Sequence, residues 1–211
     1  MSALPPSLLP RGHPFDYVLL TNRLRAYAAV RDRIGLLLEH REIVRVKKGL
    51  YIPGPDHALQ PVDPLVLSGL VSGPSYVSFE KALALHGFIP ERVEEITCAT
   101  MKRHRLFTTP VGRFSYRPVP RAVFGFGVVL VAAGGGHYFQ ATPEKALCDC
   151  AAGRGLVLKQ LSDVPSWLES SLRVDTSSLT TLRTDDLRTL ARFYRRRPVS
   201  LLVRWLERNA N

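Results

Sequence analysis

The stretch that most constrains the fold is Val30 to Gly54, VRDRIGLLLEHREIVRVKKGLYIPG, because its hydrophobic period switches from helical to alternating within a few residues. Val30, Ile34, Leu37 and Leu38 recur at helical spacing and make one apolar face. Ile43, Val44 and Val46, then Leu50, Tyr51 and Ile52, flank Lys47, Lys48 and Gly49, a turn in which the glycine can take a positive φ. Pro53, Gly54 and Pro55 stop the second strand. A helix feeding directly into a two-stranded ribbon is the order of a winged helix-turn-helix. The ribbon and its approach are crowded by Arg41, Arg45, Lys47 and Lys48. Cations placed there, without acidic partners nearby in sequence, would meet the phosphates of a duplex.

Upstream, Asp16 is suited to cap a helix whose buried face is Tyr17, Leu20, Leu24 and Tyr27, and Ala28 and Ala29 mark a tight joint to the next helix. The outward face of Val30 to His40 carries Asp32 and Glu39, flanked by Arg31 and Arg33. Acids facing phosphate are repelled, so DNA contact is assigned to Arg31, Arg33, Arg41, Arg45, Lys47 and Lys48, and the base-contacting set stays open. The competing explanation for these residues is a solvated charged face.

Charge supports a polyanionic partner. The 211 residues carry 29 Lys and Arg against 18 Asp and Glu, a net charge of +11. Residues 1–54 hold nine of these cations and four acids, the highest excess for their length. Nucleic acid ranks ahead of membrane, since no basic amphipathic helix with a bulky apolar face stands out. The longest apolar run, Val128 to Ala133, is too short to span a bilayer, and the proline-rich opening MSALPPSLLPRGHP does not read as a signal peptide. Cys98, Cys148 and Cys150 are odd in number and lack metal-ligand spacing, which fits reduced thiols in a cytoplasmic protein without a metal or other cofactor.

The fold class expected is α+β: a winged helix-turn-helix over 14–54, then a mixed, mostly antiparallel sheet domain with helices and a helical tail over 62–211. Residues 1–14 look like a flexible arm, and Pro53 to Pro64 like a linker. Asp63 and Pro64 open a helix that ends at Ser72 to Pro74, and a second helix runs from Ser78 to Gly87. From Glu94 the period becomes extended through EEITCAT, LFTT, GRFSYRPV, FGFGVVLVAA and HYFQA. Thr142, Pro143 and Glu144 open a further helix, and three more fill the tail: Val164 to Leu172, Asp185 to Arg195 after a Thr184 cap, and Pro198 to Asn209.

A second basic cluster, Lys102, Arg103, His104 and Arg105, is placed at a strand end or hairpin tip, with Arg113, Arg117 and Arg121 on the next strand. It suits phosphate or an acidic protein surface, and equally a tip that charge keeps solvated. Enzymatic signatures are missing. There is no glycine-serine turn followed by paired aspartates, no G-x-S-x-G elbow and no phosphate-loop lysine after Gly134 to Gly136. His86 and His137 lack carboxylates at ligand spacing and read as structural.

Three blocks resemble the AbiEi-like antitoxins of type IV toxin-antitoxin systems. They are the head with its VKKGLYIPG wing; PSYVSFEKALALHGFIPERVEEITCAT, Pro74 to Thr100, with the following KRHRLFTTPVGRFSYRPV; and ATPEKALCD, Ala141 to Asp149. The resemblance covers about 14–150. It implies a protein that is not an enzyme, whose winged domain represses its own operon at inverted repeats in double-stranded DNA. It implies further that the C-terminal domain counters a cognate nucleotidyltransferase toxin. The alternative is a winged-helix regulator whose second domain senses a ligand and has no toxin partner.

Overall fold

The computed structural model describes residues 9–153 and 155–209. It is a mixed α+β molecule built around a six-stranded sheet. The chain opens with β1 (Phe15–Asp16), α1 (Tyr17–Arg23) and α2 (Val30–Glu39), followed by the hairpin β2 (Ile43–Lys47) and β3 (Leu50–Pro53). β1 pairs with the outer side of β3, making a three-stranded sheet in the order β1-β3-β2. Asp16 caps α1 as its position suggests, its carboxylate accepting from the Leu19 amide at 2.7 Å. The helix is shorter than its apolar spacing predicts, and Tyr17 lies 40% exposed rather than in the buried face. Leu20, Leu24, Ile34, Leu37, Ile43 and Tyr51 form the small core of this unit.

Gly49 at the hairpin turn has φ +83°, as the turn requires. Gly54 has another reason to be glycine: a Cβ there would sit 1.7 Å from the Arg41 carbonyl oxygen, where the chain leaves the hairpin and its amide bonds to the Glu42 carbonyl at 2.8 Å.

The rest of the chain runs α3 (Pro64–Val71), β4 (Ser75–Val77), α4 (Phe79–Leu85), β5 (Ile96–Thr100), β6 (Arg105–Thr109), β7 (Gly112–Pro118), β8 (Val128–Ala133), β9 (Gly136–Ala141) and α5 (Pro143–Ala151). α6 (Asp163–Ser166) widens into a π-helical turn over Trp167–Ser171, and α7 (Thr184–Tyr194) and α8 (Arg197–Asn209) close the chain. Arg121 sits in a short 3-10 turn after β7 rather than on the strand. Thr184 lies inside α7, with Arg183 at the N-cap position, so the expected threonine cap is not formed.

The sheet order is β6-β7-β5-β4-β9-β8, with β5–β7 and β4–β9 parallel and the other three neighbours antiparallel. The three residues of β4, which end-of-helix signals at Ser72 to Pro74 conceal in the sequence, form a central strand.

Strand alternation sends side chains to two faces. On one, Val77, Cys98, Phe114 and Tyr116 pack under α3. On the other, Tyr76 and Ala99 meet α4, α5 and the C-terminal helices. The apolar side of the β2–β3 hairpin, Val46, Leu50 and Ile52, joins the α3 face, so the hairpin is held between its own helices and the large sheet.

The segments expected to be loose are tied down where they are described. The Leu59 amide donates to the Arg11 carbonyl at 2.7 Å, His13 meets the Gly135 carbonyl at 3.0 Å, and the Asp63 amide donates to the Gly134 carbonyl at 2.8 Å. Residues 1–8 of the expected arm lie outside the described residues. Among the described residues, no helix is long and apolar enough to cross a membrane, and Cys98, Cys148 and Cys150 are unpaired and buried.

Candidate nucleic-acid interface

The six cations expected to contact DNA fall into three groups. Arg31, Arg41, Arg45 and Lys48 are exposed. Arg33, on α2, is half-buried, with its guanidinium over the Tyr27 ring at 5.4 Å. Lys47 is half-buried and its ammonium donates to the Val71 carbonyl at 2.6 Å, at the C-terminal end of α3.

The fate of Lys47 follows from a register shift. Arg45 and Lys47, two residues apart, would share a face of a regular strand. β2 is irregular between them, so Arg45 pairs with Tyr51 but Lys47 with Leu50. The shift leaves Arg45 in solvent and turns Lys47 toward α3. Its ammonium therefore serves the joint between hairpin and sheet, while Arg45 and Lys48 remain in solvent.

Arg41 ends α2 in a way its sequence does not announce. The Glu42 amide bonds to the Leu37 carbonyl at 2.9 Å and the Arg41 amide to the Leu38 carbonyl at 3.2 Å, the paired bonds of a Schellman termination. The residue in the left-handed position is Arg41, at φ +55°, where glycine is usual. Holding a non-glycine residue there costs about 1–2 kcal/mol.

The second cluster lies beside the first. Lys102, in the loop between β5 and β6, donates to the Gly73 carbonyl, two residues beyond the Val71 carbonyl that Lys47 takes. Burial lowers the Lys47 pKa, and Lys102 and Arg105 lower it further, because like charges disfavour its charged form. The two basic stretches, more than fifty positions apart in sequence, thus form one positive surface around the end of α3.

The remaining predicted cations separate from it. Arg113 pairs with Glu95 at 3.6 Å. Arg117, facing the other side of the sheet, pairs with Glu80 at 2.8 Å and stacks over the Phe79 ring at 4.8 Å. Arg103 and His104 are exposed.

The residue pattern does not reveal a cleft on that other side. Its volume is about 1000 Å³, and Arg103, His104, Arg117, Arg196, Phe79 and Asp149 are among the residues lining it. Asp149 is 1% exposed and carries four hydrogen bonds. One carboxylate oxygen accepts from Ser78 Oγ at 2.6 Å and Tyr76 OH at 3.1 Å; the other accepts from Lys145 Nζ at 2.9 Å and from Tyr194 OH. Lys145 Nζ also lies 4.7 Å from the Tyr194 ring centre. Burial first, then the Asp149 charge, drives the Tyr76 and Tyr194 hydroxyls far above the ordinary tyrosine pKa. The sequence signal available was the i,i+4 spacing of Lys145 and Asp149 inside ATPEKALCD.

No protein-family model matches the chain, and no curated protein matches it. Among solved structures the chain is similar to the RV2827C protein from Mycobacterium tuberculosis, with a TM-score of 0.62 at 15% identity, over 95% of this chain and 73% of that one. At this identity the likeness concerns the fold.

Proposed function

We propose that the chain is a DNA-binding antitoxin: a winged helix-turn-helix at 14–54 represses its own operon, and the C-terminal domain counters a cognate nucleotidyltransferase toxin. The observation that carries the DNA half is the exposed set Arg41, Arg45 and Lys48 on a two-helix-and-ribbon unit, continued by Lys102 and Arg105 into one positive surface. Such a surface attracts a phosphate backbone at any sequence and positions the protein for base contact. The left-handed Arg41 places its exposed guanidinium at the turn where α2 meets the ribbon. The antitoxin half rests on the three blocks that resemble the AbiEi-like family.

Docking of the ribbon narrows the mechanism. With Val46, Leu50 and Ile52 committed to the large sheet, the ribbon presents its exposed cations as part of a rigid body. Asp32 and Glu39 are exposed on α2, so phosphate contact falls chiefly to the ribbon, with Lys102 and Arg105 beside it.

A gel shift on the chain's own promoter, at two salt concentrations, tests it. Arg45→Ala with Lys48→Ala should weaken binding and reduce the slope of log affinity against log salt by about 2, roughly 0.9 for each phosphate left without its cation. An unchanged slope would remove the ribbon from the interface. Co-expression with the neighbouring gene's product, with and without residues 14–54, tests the antitoxin half; growth inhibition that this chain never relieves would defeat it.

A further inference from the structure

The cleft on the helical side of the sheet is a second site, separate from the ribbon. Its basic side is made by Lys102, which it shares with the positive surface at the end of α3, Arg103 and His104 from the loop after β5, Arg117 from β7, and Arg196 just after α7. Its apolar side includes Phe79, Met101, Pro118, Val119 and Pro120.

Among its described lining residues Asp149 is the one carboxylate, and both its oxygens are already taken by the four donors beneath. No open acceptor is left there for a cationic ligand, so the cleft selects an anion. Three cations are steadied: Lys102 by the Gly73 carbonyl, Arg117 by Glu80, and Arg196 by the Ala152 carbonyl at 3.2 Å. Arg103 and His104 have no hydrogen bond or ion pair among the described residues, so their donors are available.

Size and wall chemistry narrow the anion. A volume of about 1000 Å³ far exceeds what one phosphate fills, and it lies at the upper end of the range of roughly 300–1,000 Å³ usual for small-molecule sites. Cations beside an apolar wall suit a phosphate attached to a flat ring. Phe79 is 2% exposed yet lies at φ +56°, an unusual conformation for a bulky residue, and it supports Arg117 with its ring face. Backbone strain of this kind collects where surrounding structure holds a group in a working position.

We propose that this cleft binds the phosphate and base of a nucleotide, either free or at the end of a single strand. The phosphate lies against Arg103, His104 and Arg117, and the base lies along the exposed apolar residues Met101, Pro118 and Pro120.

Calorimetric titration of the full chain tests it with four probes: ATP, tripolyphosphate, adenosine and a short single-stranded oligoribonucleotide with a 5′ phosphate. ATP or the oligonucleotide should bind more tightly than tripolyphosphate or adenosine, and the tighter of the two identifies the source of the nucleotide. Arg103→Glu with His104→Ala, both on exposed side chains without partners, should weaken that binding at least about tenfold, or about 1.4 kcal/mol. Arg45→Ala with Lys48→Ala should leave it unchanged, which separates this site from operator binding. Absence of binding by every probe, equal affinity for tripolyphosphate and ATP, or indifference to the loop substitutions would each overturn the proposal.

Discussion

Replacing Asp149 by Asn changes one charge and almost no volume, yet the structure makes it one of the most costly substitutions available. Asp149 and Lys145 are an i,i+4 pair with both side chains 0% exposed. In the folded chain the carboxylate serves Lys145, Ser78, Tyr76 and Tyr194, which come from the α5 helix, the β4–α4 joint and the end of α7. Asparagine leaves the Lys145 ammonium without its counter-charge and turns an amide donor toward hydroxyl groups that also donate. Removing one partner of a buried ion pair costs about 3–5 kcal/mol. For a chain of this size about 2–4 °C is lost per kcal/mol, so the melting temperature should fall by about 6–20 °C. Differential scanning calorimetry measures it, with Lys145→Met and the double substitution completing a cycle. The double should cost clearly less than the two singles added, because it removes the stranded charge. An Asp149→Asn protein melting within about 2 °C of the parent, or strictly additive singles, would refute the account of the pair as a coupled unit.

Two other outcomes follow from the same structure. Arg41→Gly relieves the left-handed strain at φ +55° and should raise stability by about 1 kcal/mol while weakening promoter binding; a urea midpoint that falls would show that the Arg41 side chain contributes to folding. Tyr76, Tyr116 and Tyr194 have pKa values raised chiefly by burial, so the folded chain keeps protons that the unfolded chain gives up near pH 10. The unfolded state then binds fewer protons, and stability must fall as pH rises above about 10. In a spectrophotometric titration the tyrosinate signal of these three should rise together with loss of structure, and their ionisation in a still-folded chain would contradict the burial.

Much of the secondary structure is legible in local pattern. The caps at Asp16, Asp63 and Thr142 each accept the backbone amide that their position calls for. The five extended runs after Glu94 hold β5 to β9, and the Gly134 to Gly136 stretch turns β8 into β9. What pattern missed has physical reasons. β4 is three residues long, too short for a period to declare itself, and it is a strand because β5 and β9 pair with it on either side. Ser78 does not cap α4 with its side chain because the Lys81 amide donates instead to Thr97 Oγ1 at 3.1 Å, while the Ser78 hydroxyl donates to Asp149, seventy-one positions away.

The basic residues show the same division. Composition and spacing were sufficient to find the two clusters and to place the first on a ribbon after a helix, because charge density and hydrophobic period are properties of neighbouring residues. They could not say that an irregular register turns Lys47 inward while Arg45 stays in solvent, or that Lys102 meets the same end of α3. Nor could they show that Arg117 and Arg196 line one cleft with Phe79 and the buried Asp149. Those facts depend on which faces of distant elements are pressed together, and packing of that kind is decided by the assembled sheet and helices, where burial leaves each side chain only the partners the fold puts within reach.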